Sequence, residues 1–153
     1  MKIINNKNLK EFTSFKIGGV ANYFIEIKNF QDLYDFFSWQ KIQKLPIFIL
    51  GGGTNLLIND FKGVVLKPEM KYIHNIEDGV FEVGSGILVS ELLSYVINLG
   101  YKGLEWAGGL PGTIGGAIEG GVGCFGGEFK NLVFEVKAVN LTTEEEKIFS
   151  KDE

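Results

Sequence analysis

The chain has 153 residues, a formal net charge of −4 at pH 7, 45% hydrophobic residues and 22% charged residues. This is the composition of an ordinary globular protein, and the length suits one domain or two small subdomains. No basic stripe is present and no apolar run approaches the ~20 residues of a membrane span, which argues against partners such as nucleic acid or a membrane.

The cysteine count and the N-terminus bear on the compartment. Cys124 is the single cysteine, so no internal disulfide can form. The first residues, MKIINNKNLKEF, lack the apolar region of a signal peptide. These features predict a cytoplasmic protein.

The first half predicts a strand, a helix and a second strand. Residues 20–27 (VANYFIEI) are rich in the β-branched and aromatic side chains typical of strands. Asn29 is placed to cap a helix, because apolar residues recur at helical spacing from 30 to 37. Pro46 ends that helix, and residues 47–50 form a short apolar strand. The pattern indicates a βαβ-like unit.

A sharp glycine-rich turn, residues 51–55 (GGGTN), follows the second strand. Residues 56–58 and 64–66 are predicted to resume extended structure. Consecutive backbone N–H groups in such a turn can form a concavity that binds anions. The alternative is a plain tight turn. The Gly-Lys-Ser/Thr of a Walker loop is missing, and so is the third glycine of a Rossmann fingerprint.

The second half predicts a hairpin, a helix and a strand. An Asp-Gly pair at positions 78–79 lies between apolar runs and predicts a hairpin over residues 72–83. Ser90 is placed to cap a helix, with Gly100 as its C′ residue. Residues 132–141 read as an apolar strand.

The C-terminal residues predict a charged turn over 142–147 and another strand from Ile148. Ser150 and Glu153 match a capping box, which is the start of a helix. A helix start at this point suggests either that a longer polypeptide has been cut or that the C-terminus is frayed.

Residues 108–127 are the most informative segment, with ten glycines in twenty residues. Such a run lets the backbone adopt positive φ or approach a ligand closely. A flexible linker is the alternative, but linkers are polar and this run carries several large apolar side chains. A literal G-x-G-x-x-G at residues 121–126 is discounted, because no clear strand precedes it and no apolar-periodic helix follows.

Isolated polar residues give no convincing catalytic group and no metal site. His74 is the only histidine and has no partners at metal-ligand spacing. Cys124 has no histidine nearby, so a buried, inert thiol is expected. Glu105 and Glu119 lie close to the glycine-rich segment but are weak acid/base candidates as single carboxylates.

Four motifs together resemble one enzyme family. They are residues 13–19 (TSFKIGG), 50–57 (LGGGTNLL), 103–117 (GLEWAGGLPGTIGGA) and 125–128 (FGGE). Their order and spacing resemble the FAD-binding half of the MurB family, the UDP-N-acetylenolpyruvoylglucosamine reductases (UDP-N-acetylmuramate dehydrogenases) of peptidoglycan synthesis. The resemblance implies an α+β fold, the FAD-binding domain of the vanillyl-alcohol-oxidase/PCMH type, with two small α+β subdomains. We place these at residues 1–67 and 68–153.

The resemblance also implies a cofactor, FAD, bound without a covalent link. NADPH would reduce the flavin, and the enolpyruvyl UDP-sugar would receive the hydride. The turn at residues 51–55 would hold the FAD pyrophosphate, and the second glycine-rich segment would line the flavin and its ribityl chain. The expected cofactor-binding residues are Leu50, Gly51, Gly52, Gly53, Thr54, Asn55, Leu56, Leu110, Pro111, Gly112, Thr113, Ile114, Ile118, Gly121, Val122 and Gly123.

The chain departs from the family pattern in two respects. Family members usually carry Asn-Ala-Gly-Ala-Tyr where this chain has residues 121–125 (GVGCF), so the asparagine side chain is replaced by Gly121. The family's Tyr-Arg substrate motif, catalytic Ser and catalytic Glu would fall beyond Glu153. NADPH and the UDP-sugar are therefore expected as partners only when a C-terminal half is supplied, and exposure of the face that packs on that half favours a homodimer.

Three hypotheses follow. The chain is the flavin half of the reductase, as a fragment or as a split protein. Alternatively it is a free-standing, non-catalytic FAD-binding module. A different flavoenzyme of the same fold, such as an oxidase, is less favoured because no histidine is clearly placed for a covalent flavin link.

Overall fold

A four-stranded mixed sheet with one helix forms the first half of the chain in the computed structural model, which describes residues 1–151. Its elements are β1 (Lys2–Asn8), β2 (Val20–Ile27), α1 (Phe30–Gln43), β3 (Ile47–Ile49) and β4 (Phe61–Pro68). The strand order is β1-β2-β4-β3; β1 runs antiparallel to β2, whereas β2 and β3 both run parallel to β4. The predicted βαβ unit is confirmed, and β1 adds an edge strand that its polar sequence did not predict.

Local signals set both ends of α1. The Asn29 side chain accepts a hydrogen bond from the Asp32 backbone N–H at 2.9 Å, as the predicted cap requires. The helix ends at Gln43, where Lys44 takes a left-handed conformation (φ 50°) two residues before Pro46. The predicted cap and the stop before Pro46 are therefore confirmed.

Hairpins and two short helices make up the second half. The elements are β5 (Ile73–Glu77), β6 (Val80–Val83), α2 (Val89–Asn98), α3 (Ile114–Glu119), β7 (Gly123–Cys124), β8 (Gly127–Glu128), β9 (Glu135–Val139) and β10 (Glu146–Ser150). The strands pair antiparallel as β5–β6, β7–β8 and β9–β10. The hairpin predicted from Asp78-Gly79 is confirmed, with Gly79 at φ +78°.

Separate apolar clusters fill the two halves. The first half has one cluster between α1 and the sheet, centred on Ile25, Phe36 and Val64, and another centred on Phe24 and Val65. The second half has its own cluster: Ile87, Val89, Val96, Leu104, Ala107, Ile114, Ala117 and Phe129. Met70, Val139 and Leu141 pack against the first of these clusters, so later parts of the chain return to the sheet.

The structure corrects the predicted start of α2. The helix begins at Val89 with Leu88 as its N-cap, and Ser90 is already inside it. The Leu88 N–H donates to Glu91 Oε2 at 3.0 Å, and the Val89 N–H donates to the distant Gly112 carbonyl at 3.0 Å. These bonds fix the helix start without a serine cap. Gly100 is confirmed as the C′ residue, with φ +85°.

Two predicted strands are also corrected. Residues 56–58 are irregular, because the Ile58 carbonyl accepts from the Gly19 N–H at 2.9 Å and the segment follows that loop instead of the sheet. The strand predicted over 132–141 is only Glu135–Val139, because the N–H groups of Leu132 and Val133 bond back to Phe129. The capping box that ends at Glu153 reaches outside the described residues. Within residues 1–151, no helix combines the length and apolar character needed to cross a membrane.

Candidate functional site

The turn at residues 51–55 lies at the carboxyl edge of the parallel part of the sheet. Parallel pairing sets Ile49 beside Leu66, and the Leu50 N–H donates to the Leu66 carbonyl at 2.9 Å. Leu50 is only 2% exposed and anchors the start of the turn in the core. Ligands of open α/β sheets commonly bind at this edge, beyond the carboxyl ends of the strands.

Tertiary folding brings the two predicted glycine-rich segments into contact. A Cβ placed on Gly52 would lie 2.7 Å from the Gly112 Cα, and one placed on Gly51 would lie 3.2 Å from Thr113 Oγ1. Gly112 has φ +113°, and a Cβ there would lie 3.3 Å from Thr54 Oγ1. The two backbones can approach this closely only because glycine has no side chain. Residues 51–54 and 112–113 therefore form one continuous surface.

Backbone N–H groups of the turn are free to bind a ligand. Among residues 1–151, no protein acceptor takes a hydrogen bond from the N–H of any residue from 51 to 55. Such groups are strong donors that need a partner, from solvent or from a ligand. Their number and succession suit an anion.

The carbonyls of the same turn, in contrast, are held by the protein. The Gly51 carbonyl accepts from Lys67 Nζ at 3.2 Å, and the Gly53 carbonyl accepts from the Ser14 N–H at 3.0 Å. All peptide bonds described are trans, so each C=O and the following N–H point in opposite directions. The N–H groups of Gly52 and Thr54 therefore face away from Lys67 and Ser14.

In the second glycine-rich segment, the peptide group between Gly112 and Thr113 is held by its carbonyl in the same way. The Gly112 carbonyl accepts from the Val89 N–H at 3.0 Å, which turns the Thr113 N–H away from Val89. Thr113 itself is 4% exposed, and its Oγ1 accepts from the Gly116 N–H at 3.3 Å to cap α3. Three peptide groups, those before Gly52, Thr54 and Thr113, are thus fixed by their carbonyls, and none of their N–H groups has a partner among the described residues.

The remaining predicted site residues divide into side chains that pack in a core and residues at the surface. Ile114 is 5% exposed in the second-half core, and Leu110, Ile118 and Val122 pack against that core. Leu56 is half-buried against a first-half cluster. The exposed members of the predicted set are Asn55, Pro111, Gly121 and Gly123. The second segment therefore presents mainly backbone.

The segment that departs from the family pattern forms the β7–β8 hairpin. Phe125 and Gly126 make its turn, with φ of 50° and 84°, and Phe125 is 91% exposed. A Cβ on Gly121, at φ +56°, would meet no heavy atom within 4 Å. The literal G-x-G-x-x-G is thus part of a hairpin and has no strand–turn–helix context.

An ion-pair chain under the turn was not predicted from the sequence. Lys67 Nζ lies 2.9 Å from Glu69 Oε1, and Lys71 Nζ lies 3.1 Å from Glu69 Oε2. Burial raises the pKa of the Glu69 carboxyl, but the hydrogen bonds from Lys67 and Lys71 outweigh it and hold that pKa below its ordinary value. In the sequence these residues are the K-P-E-M-K pattern at positions 67–71, at the end of a strand. The pattern could not be linked to the turn until the pairing of β4 with β3 was known, because that pairing places Lys67 beside Gly51.

Of the other polar candidates, Glu119 is exposed at the end of α3, whereas His74, Cys124 and Glu105 have structural partners. His74 stacks on Tyr72, with ring centroids 4.8 Å apart. Cys124 is half-buried, not fully buried as expected, and its Sγ donates to the Trp106 carbonyl at 3.0 Å. Glu105 accepts from the Gly103 N–H at 2.6 Å, and bonds from its own N–H and that of Gly103 lower the pKa of its carboxyl. Within residues 1–151, no group of three or more acidic, histidine or cysteine side chains is placed to hold a metal ion.

Two concavities lie away from the glycine-rich surface. One, of about 400 Å³, is lined by residues 17–19 and 58–60, and the other, of about 550 Å³, lies beside α1 and β3. Neither includes residues 51–55 or 110–123. The glycine-rich site is thus defined by its free donors and close backbones, which suit the phosphates of a cofactor.

Comparisons with known proteins agree with this geometry. The family model described as "FAD binding domain" matches residues 21–149. A UDP-N-acetylenolpyruvoylglucosamine reductase of Protochlamydia amoebophila is 38% identical over 92% of this chain and 49% of its own length. The one from Rickettsia rickettsii (strain Sheila Smith) is 39% identical over 88% of this chain and 46% of its own length. This chain therefore spans about half the length of such relatives.

A solved structure shares the fold. The UDP-N-acetylenolpyruvylglucosamine reductase (MurB) from Thermus caldophilus matches with a TM-score of 0.74 and 20% identity, over 99% of this chain and 52% of that one. The resemblance stated from the four motifs, the α+β fold class and FAD as the cofactor are all confirmed. The chain belongs to the FAD-binding domain family.

Proposed function

We propose that residues 50–56, together with residues 110–114, 118 and 121–123, hold the FAD, with the pyrophosphate on the turn at residues 51–55. The observation that carries this proposal is the set of fixed peptide groups before Gly52, Thr54 and Thr113, whose N–H groups have no protein acceptor in residues 1–151. Hydrogen bonds from such donors to a charged oxygen are short and about twice as strong as neutral ones.

The role of each group follows from this arrangement. The N–H groups of Gly52, Thr54 and Thr113 bind phosphate oxygens and so set the register of the cofactor. Exposed backbone at Pro111 and Gly121 borders the flavin. Bound FAD supplies hydride transfer, and the residues described here bind and orient it.

We further propose that the chain is the cofactor-binding half of a UDP-N-acetylenolpyruvoylglucosamine reductase. The support is the name shared by the relatives that match 88–92% of this chain. In that role, NADPH and the enolpyruvyl UDP-sugar would react with the flavin only when a second half of the protein is joined to this one. That second half would supply the groups that bind the substrate and donate a proton.

The proposal also covers the division into units, self-association, the compartment and the partners of the chain. The division into units 1–67 and 68–153 is supported by separate cores, although Val139 and Leu141 return to the first. Self-association is supported by the exposure of Phe125 (91%) and Phe134 (76%). The free thiol of Cys124 is compatible with a reducing cytoplasm, and the formal net charge of −4 does not favour nucleic acid or an anionic membrane as a partner.

An FAD titration tests the cofactor site. The purified chain is expected to be yellow, or to quench FAD fluorescence on titration, and heating should release the flavin because no covalent link forms. Riboflavin, which lacks the pyrophosphate, is expected to bind more weakly than FAD. Absence of flavin binding at high micromolar FAD would overturn the proposal. Equal affinity for riboflavin and FAD would show that the turn does not bind the pyrophosphate.

A further inference from the structure

We infer that Lys67 is a positioning residue of the FAD site, which orients the peptide group between Gly51 and Gly52 so that the Gly52 N–H faces the pyrophosphate. This inference rests on the proposed function, because it assumes that FAD binds at the turn. Lys67 lies outside the glycine-rich motifs, on the neighbouring strand β4. In this view the turn is held in shape by that strand as well as by its own glycines.

Strand pairing brings Lys67 to the turn. Ile49 on β3 pairs with Leu66 on β4. Lys67 is the next residue on β4, and Gly51, the first residue of the turn, comes two residues after Ile49, so the two lie close together. The Lys67 side chain is 13% exposed and its Nζ lies 3.2 Å from the Gly51 carbonyl oxygen. A lysine that is almost covered needs partners for its charge, and here they are Glu69 and this carbonyl.

The contact has a directional consequence. Glycine residues impose little preference on their own peptide planes, so the plane between Gly51 and Gly52 could rotate in a free turn. A charged donor on the Gly51 carbonyl selects the orientation in which the Gly52 N–H points to the opposite side. FAD then meets a donor that is already oriented, and binding loses less entropy.

Glu69 keeps the ammonium in place. Its carboxylate is 19% exposed and accepts from Lys67 on one oxygen and from Lys71 on the other. Lys71 therefore offers a matched control. It carries the same charge to the same carboxylate, but it is 49% exposed and has no hydrogen bond to residues 51–55 among the described contacts.

The test compares Lys67→Met, Lys71→Met and Lys67→Arg in FAD titrations followed by flavin fluorescence. Lys67→Met is expected to raise the FAD Kd about tenfold, which is the scale of one hydrogen bond from a charged donor. Lys71→Met should change the Kd less than about twofold, as is usual for an exposed ion pair. Lys67→Arg keeps donors for the carbonyl and should recover most of the affinity.

A spectroscopic readout separates positioning from general stability. At saturating FAD, the ³¹P resonances of the pyrophosphate should shift in Lys67→Met but not in Lys71→Met, while the flavin absorption spectrum stays the same in both. Should Lys67→Met fail to fold by circular dichroism, Lys67→Gln replaces it, with the same direction of change expected because its side chain is uncharged and one atom shorter than that of lysine.

Three results would overturn the inference. Equal weakening by Lys67→Met and Lys71→Met would make the effect one of charge alone. An unchanged Kd in Lys67→Met (or in Lys67→Gln, where it replaces Lys67→Met), or unchanged ³¹P resonances in that variant, would leave Lys67 without a role in the site. Failure of the unaltered chain to bind FAD is a different outcome, and it refutes the proposed function itself.

Discussion

Replacing Gly52 with valine should disrupt FAD binding by separating the two glycine-rich segments. From the sequence, Gly52 was expected to matter because backbone must meet phosphate there. The structure adds a second reason: a Cβ on Gly52 would lie 2.7 Å from the Gly112 Cα and 3.3 Å from the Thr113 backbone nitrogen. These neighbours are backbone atoms, which cannot move aside as a flexible side chain can.

The size of the effect follows from these distances. Real Cβ atoms essentially never approach another atom closer than 3.0 Å, and ordinary Cβ contacts begin at 3.4 Å. From 2.7 Å, the segments must therefore part by 0.3 Å (3.0 − 2.7) to be tolerated and by 0.7 Å (3.4 − 2.7) to reach an ordinary contact. Valine adds two methyl groups and requires more. A shift of this size misaligns the Gly52 or Thr113 donor, and one lost hydrogen bond to a charged group costs about 1.5–3 kcal/mol. The FAD Kd should therefore rise about 10- to 150-fold.

Gly79→Ala is the matched control. Gly79 has φ +78° and its nearest atom to an added Cβ is a Tyr101 ring carbon at 3.7 Å, so alanine meets backbone strain but no clash. The cost should be about 1–2 kcal/mol of stability, seen as a lower Tm, with unchanged FAD affinity. Gly52→Ala, a smaller change at the first site, should lie between the two.

Fluorescence titration with FAD and a thermal melt of each variant provide the measurement. Folding of every variant is checked by circular dichroism before titration. If Gly52→Val binds FAD as tightly as Gly79→Ala does, then contact between the segments does not shape the site and the reasoning fails.

Three further predictions concern charge, activity and association. The pKa of Glu69 is lowered in the folded state from an ordinary 4.5, so its ion pairs stabilise the fold fully above that pH and are lost as the pH falls through the folded value; urea unfolding at pH 6 and pH 3 should show less pH dependence in Glu69→Gln than in the unaltered chain. The purified chain alone should show no NADPH oxidation that depends on the enolpyruvyl UDP-sugar, and a sugar-dependent rate in a spectrophotometric assay would mean that residues assigned here to other roles complete the reaction. Sedimentation velocity should find self-association that decreases in Phe125→Ser with Phe134→Ser, and a monomer at every concentration of the unaltered chain would contradict the proposed homodimer.

Elements with strong local signals were predicted correctly from the sequence. The Asn29 cap and the apolar spacing behind it predicted α1, and the Asp78-Gly79 pair predicted the β5–β6 hairpin, because capping and tight turns depend on residues adjacent in the chain. The order of the glycine-rich motifs also identified the FAD-binding family, since the match did not require any tertiary contact.

Tertiary structure alone decided the rest. The helix α2 begins at Val89 instead of after Ser90 because the Val89 N–H bonds to Gly112, and α3 forms in a glycine-rich stretch because Ile114 and Gly115 donate to the Ile87 and Ser85 carbonyls. The contact between Gly52 and Gly112, and the bond from Lys67 to Gly51, likewise join residues that only folding brings together. Local propensity cannot encode such pairs, because their energy depends on neighbours supplied by distant parts of the chain.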